Sequence, residues 1–303
     1  MSMDIDRCSI AVPVRANTGL AAGMEIPPVK GETMRGKNLG SLPVVLLAAV
    51  IAAALWAPLA QAATPAPGYT QFAGCPSPEE KAGVLFCMRS TITGGHFQMG
   101  TKDVPLTNPI TLSAGLEESG NLVANSKGGL TPVKQKVPGG VVGLTGLTWL
   151  LEILGSEALT LYAVTELAGQ PNLQETGLTL PIRVHLVNST LGNNCYVGSF
   201  SNPIVLKLTN ETTNPPPPNV PITGKFPELS AENFILYGKN GEFVDNAFAA
   251  PGASGCVLTL FGFIPISING LVNSQSGLPS PAGRNETRQN YNLEFVERGF
   301  VYP

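Results

Sequence analysis

Residues 178–188 read LTLPIRVHLVN, and their alternation decides the fold. Leu178, Leu180, Ile182, Val184 and Leu186 fall on one side of an extended chain, and Thr179, Pro181, Arg183, His185 and Val187 on the other. Successive side chains of a strand point to opposite faces, so this pattern describes a strand with one face on a core and one on water. Parallel sheets are covered on both faces, so a half-wet strand points to an antiparallel sheet.

The same period recurs outward from this segment. In 204–209, Ile204, Leu206 and Leu208 oppose Val205, Lys207 and Thr209; in 159–167, Leu159, Leu161, Ala163 and Leu167 share a face with Thr165. Further strands are expected at 104–116, where Pro105 and Pro109 argue for an edge position because proline lacks the amide a central ladder needs, and at 256–264 and 291–302. Two windows read as helix. Leu144, Leu147, Leu151 and Leu154 recur at three- and four-residue steps before Gly155, and Ile264, Ile268, Leu271 and Gln275 do so before Gly277 and Pro279. The expectation is an all-β antiparallel sandwich with one or two short helices. Pro215 to Pro218 form a stiff polyproline connection that cannot join a central strand. No internal repeat stands out, which removes support for solenoids and propellers.

The N-terminal part reads as an export signal. Arg35 and Lys37 follow Met34, the run from Leu42 to Leu59 carries no charge, and Ala60-Gln61-Ala62 supplies small residues for cleavage before Ala63. A retained membrane anchor is the alternative, since about eighteen uncharged residues reach the lower limit for a span. Signal peptides begin at the true N-terminus, so residues 1–33 read as a mis-assigned extension, 34–62 as the signal and 63–303 as one secreted domain with the Pro-rich connection at 214–218. Membrane contact is then expected only through the signal, unless it stays uncleaved.

Cys8 falls outside that domain, leaving Cys75, Cys87, Cys195 and Cys256. An even number in an oxidising compartment implies two disulfides, and four cysteines allow three connectivities. The favoured pairing is Cys75–Cys87, closing a local loop, with Cys195–Cys256 stapling distant segments. Their spacings match no common zinc pattern.

Charge excludes one class of partner. From Ala63 onward thirteen Lys and Arg stand against seventeen Asp and Glu, whereas nucleic-acid binding needs clustered basic residues that displace counterions. Charged residues make up only 13% of the chain, against roughly 25% in soluble domains. The exterior therefore leans on Thr, Ser, Asn, Gly and Pro, as in many secreted β-proteins, oligomers, or proteins resting on something apolar.

Residues suited to catalysis are scarce. His96 and His185 are the only histidines, and histidine is the commonest general base near neutral pH. His185 is expected to be solvated beside Arg183, and His96 to lie in a turn or strand start after Gly94-Gly95. No GxSxG elbow is present, and Ser254 in PGASGC reads as a turn. Glu79-Glu80 and Glu117-Glu118 are adjacent pairs whose members point to opposite faces of a strand, unsuited to flanking one bond. PGGVVGLTG, 138–146, lacks phosphate-loop spacing. Asp103 and Asp245 are the only aspartates beyond the signal, too few for a calcium loop. No catalytic residue, metal ligand or cofactor is expected.

What remains is apolar. Residues 137–168 carry only Glu152, Glu157 and Glu166, and 256–273 carry no charge. Most of this has to be core, but Leu147, Leu151 and Leu154 with the 256–273 segment could also line a groove for an apolar molecule or lipid. Asn188-Ser189-Thr190, Asn210-Glu211-Thr212 and Asn285-Glu286-Thr287 fit the N-glycosylation pattern.

The stretch from Pro181 through Gly224, with LGNNCYVGSFSNPIVLKL followed by NETTNPPPPNVPITG, resembles a family of uncharacterised actinobacterial secreted proteins, as do DNAFAAPGASGC (245–256) and GLPSPAGRN (277–285). The resemblance implies secretion and a cysteine frame, and no substrate. The functional expectation is a secreted, non-catalytic cell-envelope or extracellular protein with a structural, adhesive or binding role. The alternatives are a carrier or sensor of an apolar ligand, and a hydrolase with an unfamiliar site.

Overall fold

A computed structural model describes residues 63–260 and 264–303. The expected extension, signal peptide and cleavage site lie outside these residues. In chain order the strands are β1 (Val84–Met99), β2 (Lys102–Pro105), β3 (Ile110–Glu117), β4 (Leu122–Val123), β5 (Gly129–Leu130), β6 (Lys134–Lys136), β7 (Tyr162–Leu167), β8 (Asn172–Gln174), β9 (Gly177–Val187), β10 (Tyr196–Val197), β11 (Ile204–Thr209), β12 (Glu228–Glu232), β13 (Ile235–Asp245), β14 (Ala253–Ser254), β15 (Val257–Leu260), β16 (Ile264–Ser267) and β17 (Glu286–Glu297). The α-helices are α1 (Gly140–Thr145), α2 (Leu150–Ala158), α3 (Asn269–Ser276) and α4 (Arg298–Val301).

Fifteen strands form one antiparallel sheet whose main path runs β14-β10-β9-β11-β13-β17-β1-β3-β4, and β15 with β16 makes a separate hairpin. Strand β9 alternates as its sequence dictates, with Leu178, Leu180, Ile182, Val184 and Leu186 all buried. The sheet curls on itself into a sandwich. One core joins Met88, Leu112 and Ala114 of β1 and β3 to Leu180 and Ile182 of β9 and Leu206 of β11. A void of about 30 Å3 between Ile92, Ile110, Leu180 and Leu206 marks the plane where the two layers meet.

A second core lies where residues 66–75 and 298–302 cover β1, β13 and β17. Phe72, Cys75, Val84, Cys87, Val296, Val301 and Tyr302 pack together, the Tyr302 hydroxyl donates to the Cys75 carbonyl at 2.8 Å, and the Ala66 N–H donates to the Val301 carbonyl at 2.8 Å. Disulfides join Cys75 to Cys87 and Cys195 to Cys256, the pairing favoured from the sequence. The Pro-rich connection is tied down by Asn219, whose side-chain amide donates to the Asn246 and Asn285 carbonyls.

Several boundaries differ from the sequence reading. The expected strand 104–116 is two strands, and β3 is internal, paired with β1 on one side and with β4 and β5 on the other. Pro105 ends β2, an edge strand paired only with β1, as expected, whereas Pro109 lies in the break before the internal β3. The turn they enclose is held by Gln135, whose Oε1 accepts the Thr107 and Asn108 N–H groups at 3.0 Å.

The 144–154 helix is likewise two helices. Gly146, at φ 75°, ends α1, and Gly155, at φ 75° and ψ 165°, breaks the helical backbone of α2 at a kink, the stop expected there. At 264–275 the period of three to four misleads, because Ile264–Ser267 are extended and paired with β15. Only α3 is helical there, and Gly277 caps it at φ 64°. The C-terminal strand ends at Glu297 and gives way to α4. His96 lies within β1, opposite Arg288, and not in a turn. The neighbouring Gly95 has φ 121°, and a Cβ there would overlap the Arg288 carbonyl oxygen, so only glycine fits this crossing of β1 and β17.

Candidate functional site

A groove of about 610 Å3 lies between the end of β2, the β6–α1 turn and α2. Val137, Pro138, Val142, Leu151 and Leu159 give it apolar walls, and Lys136 is its one charged lining residue. Two glycines shape the floor: Gly139 and Gly140 take φ 78° and 57°, and a Cβ on Gly140 would overlap the Leu159 carbonyl oxygen. PGGVVGLTG thus serves to turn the chain tightly from β6 into α1.

Helix α2 forms the outer wall and is poorly covered. Leu150 is its buried residue, while Leu151, Ile153 and Leu154 are exposed, Ile153 to 66%, as is Trp149 just before them. A helix of this apolar content ordinarily turns its leucines inward. Trp149, Leu151, Ile153 and Leu154 thus form a run of exposed apolar side chains along this wall.

The three leucines singled out from the sequence do not act together. Leu151 lines the groove, Leu154 is exposed beside it, and Leu147 packs against the main core. The uncharged 256–273 segment divides too. Leu258, Ile268 and Val272 are buried in the core, whereas Ile264, Ile266 and Leu271 are exposed. Val272 meets Leu144, Val184 and Val197 around an apolar void of about 30 Å3, too confined for a ligand.

Neither histidine is freely solvated. On the outer face of the sheet, β7, β9 and β10 bring Glu166 opposite Arg183 and His185 opposite Tyr196. Glu166 Oε2 accepts from Arg183 Nε at 3.0 Å and Nη2 at 2.6 Å, and Glu166 Oε1 lies 3.6 Å from His185 Nδ1. The His185 ring stacks on Tyr196 at 4.3 Å. The Arg183 guanidinium lies 4.3 Å from the Tyr196 ring centroid and 4.0 Å from that of Phe200. His96 Nδ1 is 3.0 Å from Asp103 Oδ1, with Glu286 3.9 Å from its other nitrogen. Among the described residues no hydroxyl or thiol hydrogen-bonds to either imidazole, so each has a carboxylate partner without an attached nucleophile.

The remaining polar candidates have structural work. Glu80 accepts the Ser77 N–H at 2.8 Å while Ser77 Oγ accepts the Glu80 N–H at 3.3 Å, the reciprocal pairing of a capping box. Glu117 pairs with Lys81 at 3.2 Å. Asp245 is buried and accepts the Lys207 and Ala247 N–H groups at 2.7 and 2.9 Å; burial nevertheless holds its carboxyl above the usual range. Two glycosylation-type asparagines are also internal. Asn285 is fully buried, and Asn210 donates to the Lys225 and Glu242 carbonyls. Asn188 is half-buried and ties the Ala158 and Thr160 carbonyls. Among the described residues no group of three or more His, Cys, Asp and Glu side chains is arranged to hold a metal ion.

Phe200, Tyr196 and Glu166 escaped the sequence reading. Tyr196 carried one signal, its place beside a disulfide cysteine. Glu166 meets Arg183 only through the β7–β9 register, which local sequence does not announce. In comparisons with protein-family models, curated proteins and solved structures, nothing matches this chain.

Proposed function

We propose that this chain works outside the cytoplasm as a non-catalytic binding protein, taking an apolar or amphipathic molecule into the groove between β6, α1 and α2. The groove carries the reading: about 610 Å3 of space with apolar walls and a single lysine, bordered by a helix whose Leu151, Ile153 and Leu154 are exposed. Small-molecule sites are of this size, mostly apolar, with few polar groups to orient the ligand. Lys136 suits a ligand with an anionic or polar head, held near the mouth while its apolar part lies along Leu151 and Leu159. Two disulfides fit an oxidising compartment. The export reading of residues 34–62 and the sparse surface charge agree with a place at the cell envelope.

The test is mass analysis of organic extracts of the exported protein, followed by titration with a fluorescent long-chain fatty acid. A co-purified lipid, and probe binding that Leu151→Asp weakens by about tenfold or more, are expected, since burying one leucine is worth about 1.5–3 kcal/mol. A clean extract together with no probe binding would remove the carrier role and leave the structural or adhesive one.

A further inference from the structure

The outer face of the sheet carries a second constellation, independent of the groove. His185, Tyr196, Arg183 and Phe200 form a chain of planar groups, with successive separations of 4.3, 4.3 and 4.0 Å. Both oxygens of Glu166 hold it, one on Arg183 and the other toward His185. Every support comes from a paired strand or its adjoining loop, and the Cys195–Cys256 disulfide adjoins Tyr196. The outermost member, Phe200, is 66% exposed. A large apolar ring is thereby held at the surface in a fixed orientation, with its guanidinium partner beneath it.

We propose that Phe200 and Arg183 form a platform for a neutral sugar ring, so that this protein binds a neutral glycan through its outer sheet face. Three observations select that chemistry. The exposed ring offers a flat apolar surface of the kind that matches the C–H face of a pyranose. Arg183 Nη1 donates to no protein acceptor among the described residues and its guanidinium lies against the Phe200 ring, and the residues on either side of Phe200 carry the Ser199 and Ser201 hydroxyls, 3.2 Å apart, the first of which also accepts the Asn202 N–H, so hydroxyl partners have a donor at the ring and hydroxyls on the adjoining residues. Glu166 neutralises Arg183, which leaves no net charge to recruit an anionic ligand. Because the platform is already rigid, binding costs little ordering of the protein.

Affinity electrophoresis of the exported protein through gels containing neutral mannan, glucan or galactan tests this. Retardation by at least one polysaccharide is expected, weakened about tenfold or more by Phe200→Ala, kept by Phe200→Trp, and reduced by Arg183→Lys, which keeps the charge and loses the plane. Leu151→Asp leaves retardation unchanged, which separates this site from the groove. Thermal melting of Phe200→Ala should match the parent protein, since the ring is exposed. Equal retardation of parent and Phe200→Ala overturns the proposal, and so does absence of retardation in every gel. Loss of binding to lipid vesicles on Phe200→Ala, with no sugar effect, overturns it in favour of a membrane contact.

Discussion

Asn285 accepts the Gly100 N–H at 2.9 Å across 185 residues of chain, and its fully buried side chain gathers three backbone carbonyls from two further segments around it. Its Nδ2 donates to the Phe248 carbonyl at 2.8 Å, to Pro281 at 3.1 Å and to Ser280 at 3.4 Å. Alanine would take this partner from the Gly100 N–H and from the Phe248 and Pro281 carbonyls, while the Ser280 carbonyl keeps the Ala250 N–H. Unmade buried hydrogen bonds cost about 1–3 kcal/mol each, so Asn285→Ala should lose about 3 kcal/mol or more in urea unfolding. A loss under about 0.5 kcal/mol would show that these carbonyls find other partners.

The two disulfides should differ in worth. Cys195–Cys256 spans 61 residues and Cys75–Cys87 only 12. By loop-closure entropy the first restricts the unfolded chain by about 4 kcal/mol and the second by about 3 kcal/mol. Paired Cys-to-Ser variants, unfolded in urea, should follow that order. For protein beginning at Ala63, intact mass should rise by four hydrogen atoms on full reduction, with no free thiol beforehand.

Asp245 gives a pH dependence whose sign follows from burial. Its carboxyl titrates above the ordinary 3.8 because desolvation outweighs the two backbone N–H groups it accepts. The folded state then binds the proton more tightly than the unfolded state. This contribution to stability is fully present below pH about 3.8 and is lost as pH rises through the raised value. Comparing the protein with Asp245→Asn from pH about 3 to 7, the stability difference should move against the parent as pH rises. A change in the opposite direction would mean that the backbone N–H groups dominate.

Leu144 and Leu151 lie seven residues apart and should respond differently to alanine. Leu144 is buried against Val184 and Val272, so Leu144→Ala should cost about 2–5 kcal/mol. Leu151 is exposed at the groove, and Leu151→Ala should change stability by about 0.5 kcal/mol or less while weakening probe binding. Equal costs would mean that α2 packs more closely on the core than its exposure indicates.

The legible parts of this protein were those written in local periodicity. Strand β9 could be read from 178–188 and β11 from 204–209, because alternation with period two is a property of the segment alone. The same logic failed at 264–268. Isoleucines four apart suggested a helix, but pairing with β15 made the segment extended, and short apolar runs do not distinguish the two. The groove was half legible. Apolar density at 137–168 was plain in the sequence, but nothing in the spacing of Leu147, Leu151 and Leu154 told which would face the core and which solvent. That choice depends on the break at Gly146 between α1 and α2.

The sequence by itself determined an antiparallel β protein, four cysteines from Ala63 onward and a chain poor in charge, because each is a matter of local pattern or count. The tertiary structure alone decided that Glu166 would hold Arg183 and His185, that Asn285 would reach Gly100, and that Leu151 would face a groove. These relations join residues from separate strands and turns. Strand register and the curl of the sheet set them, and those are properties of the whole folded chain, specified by no single segment.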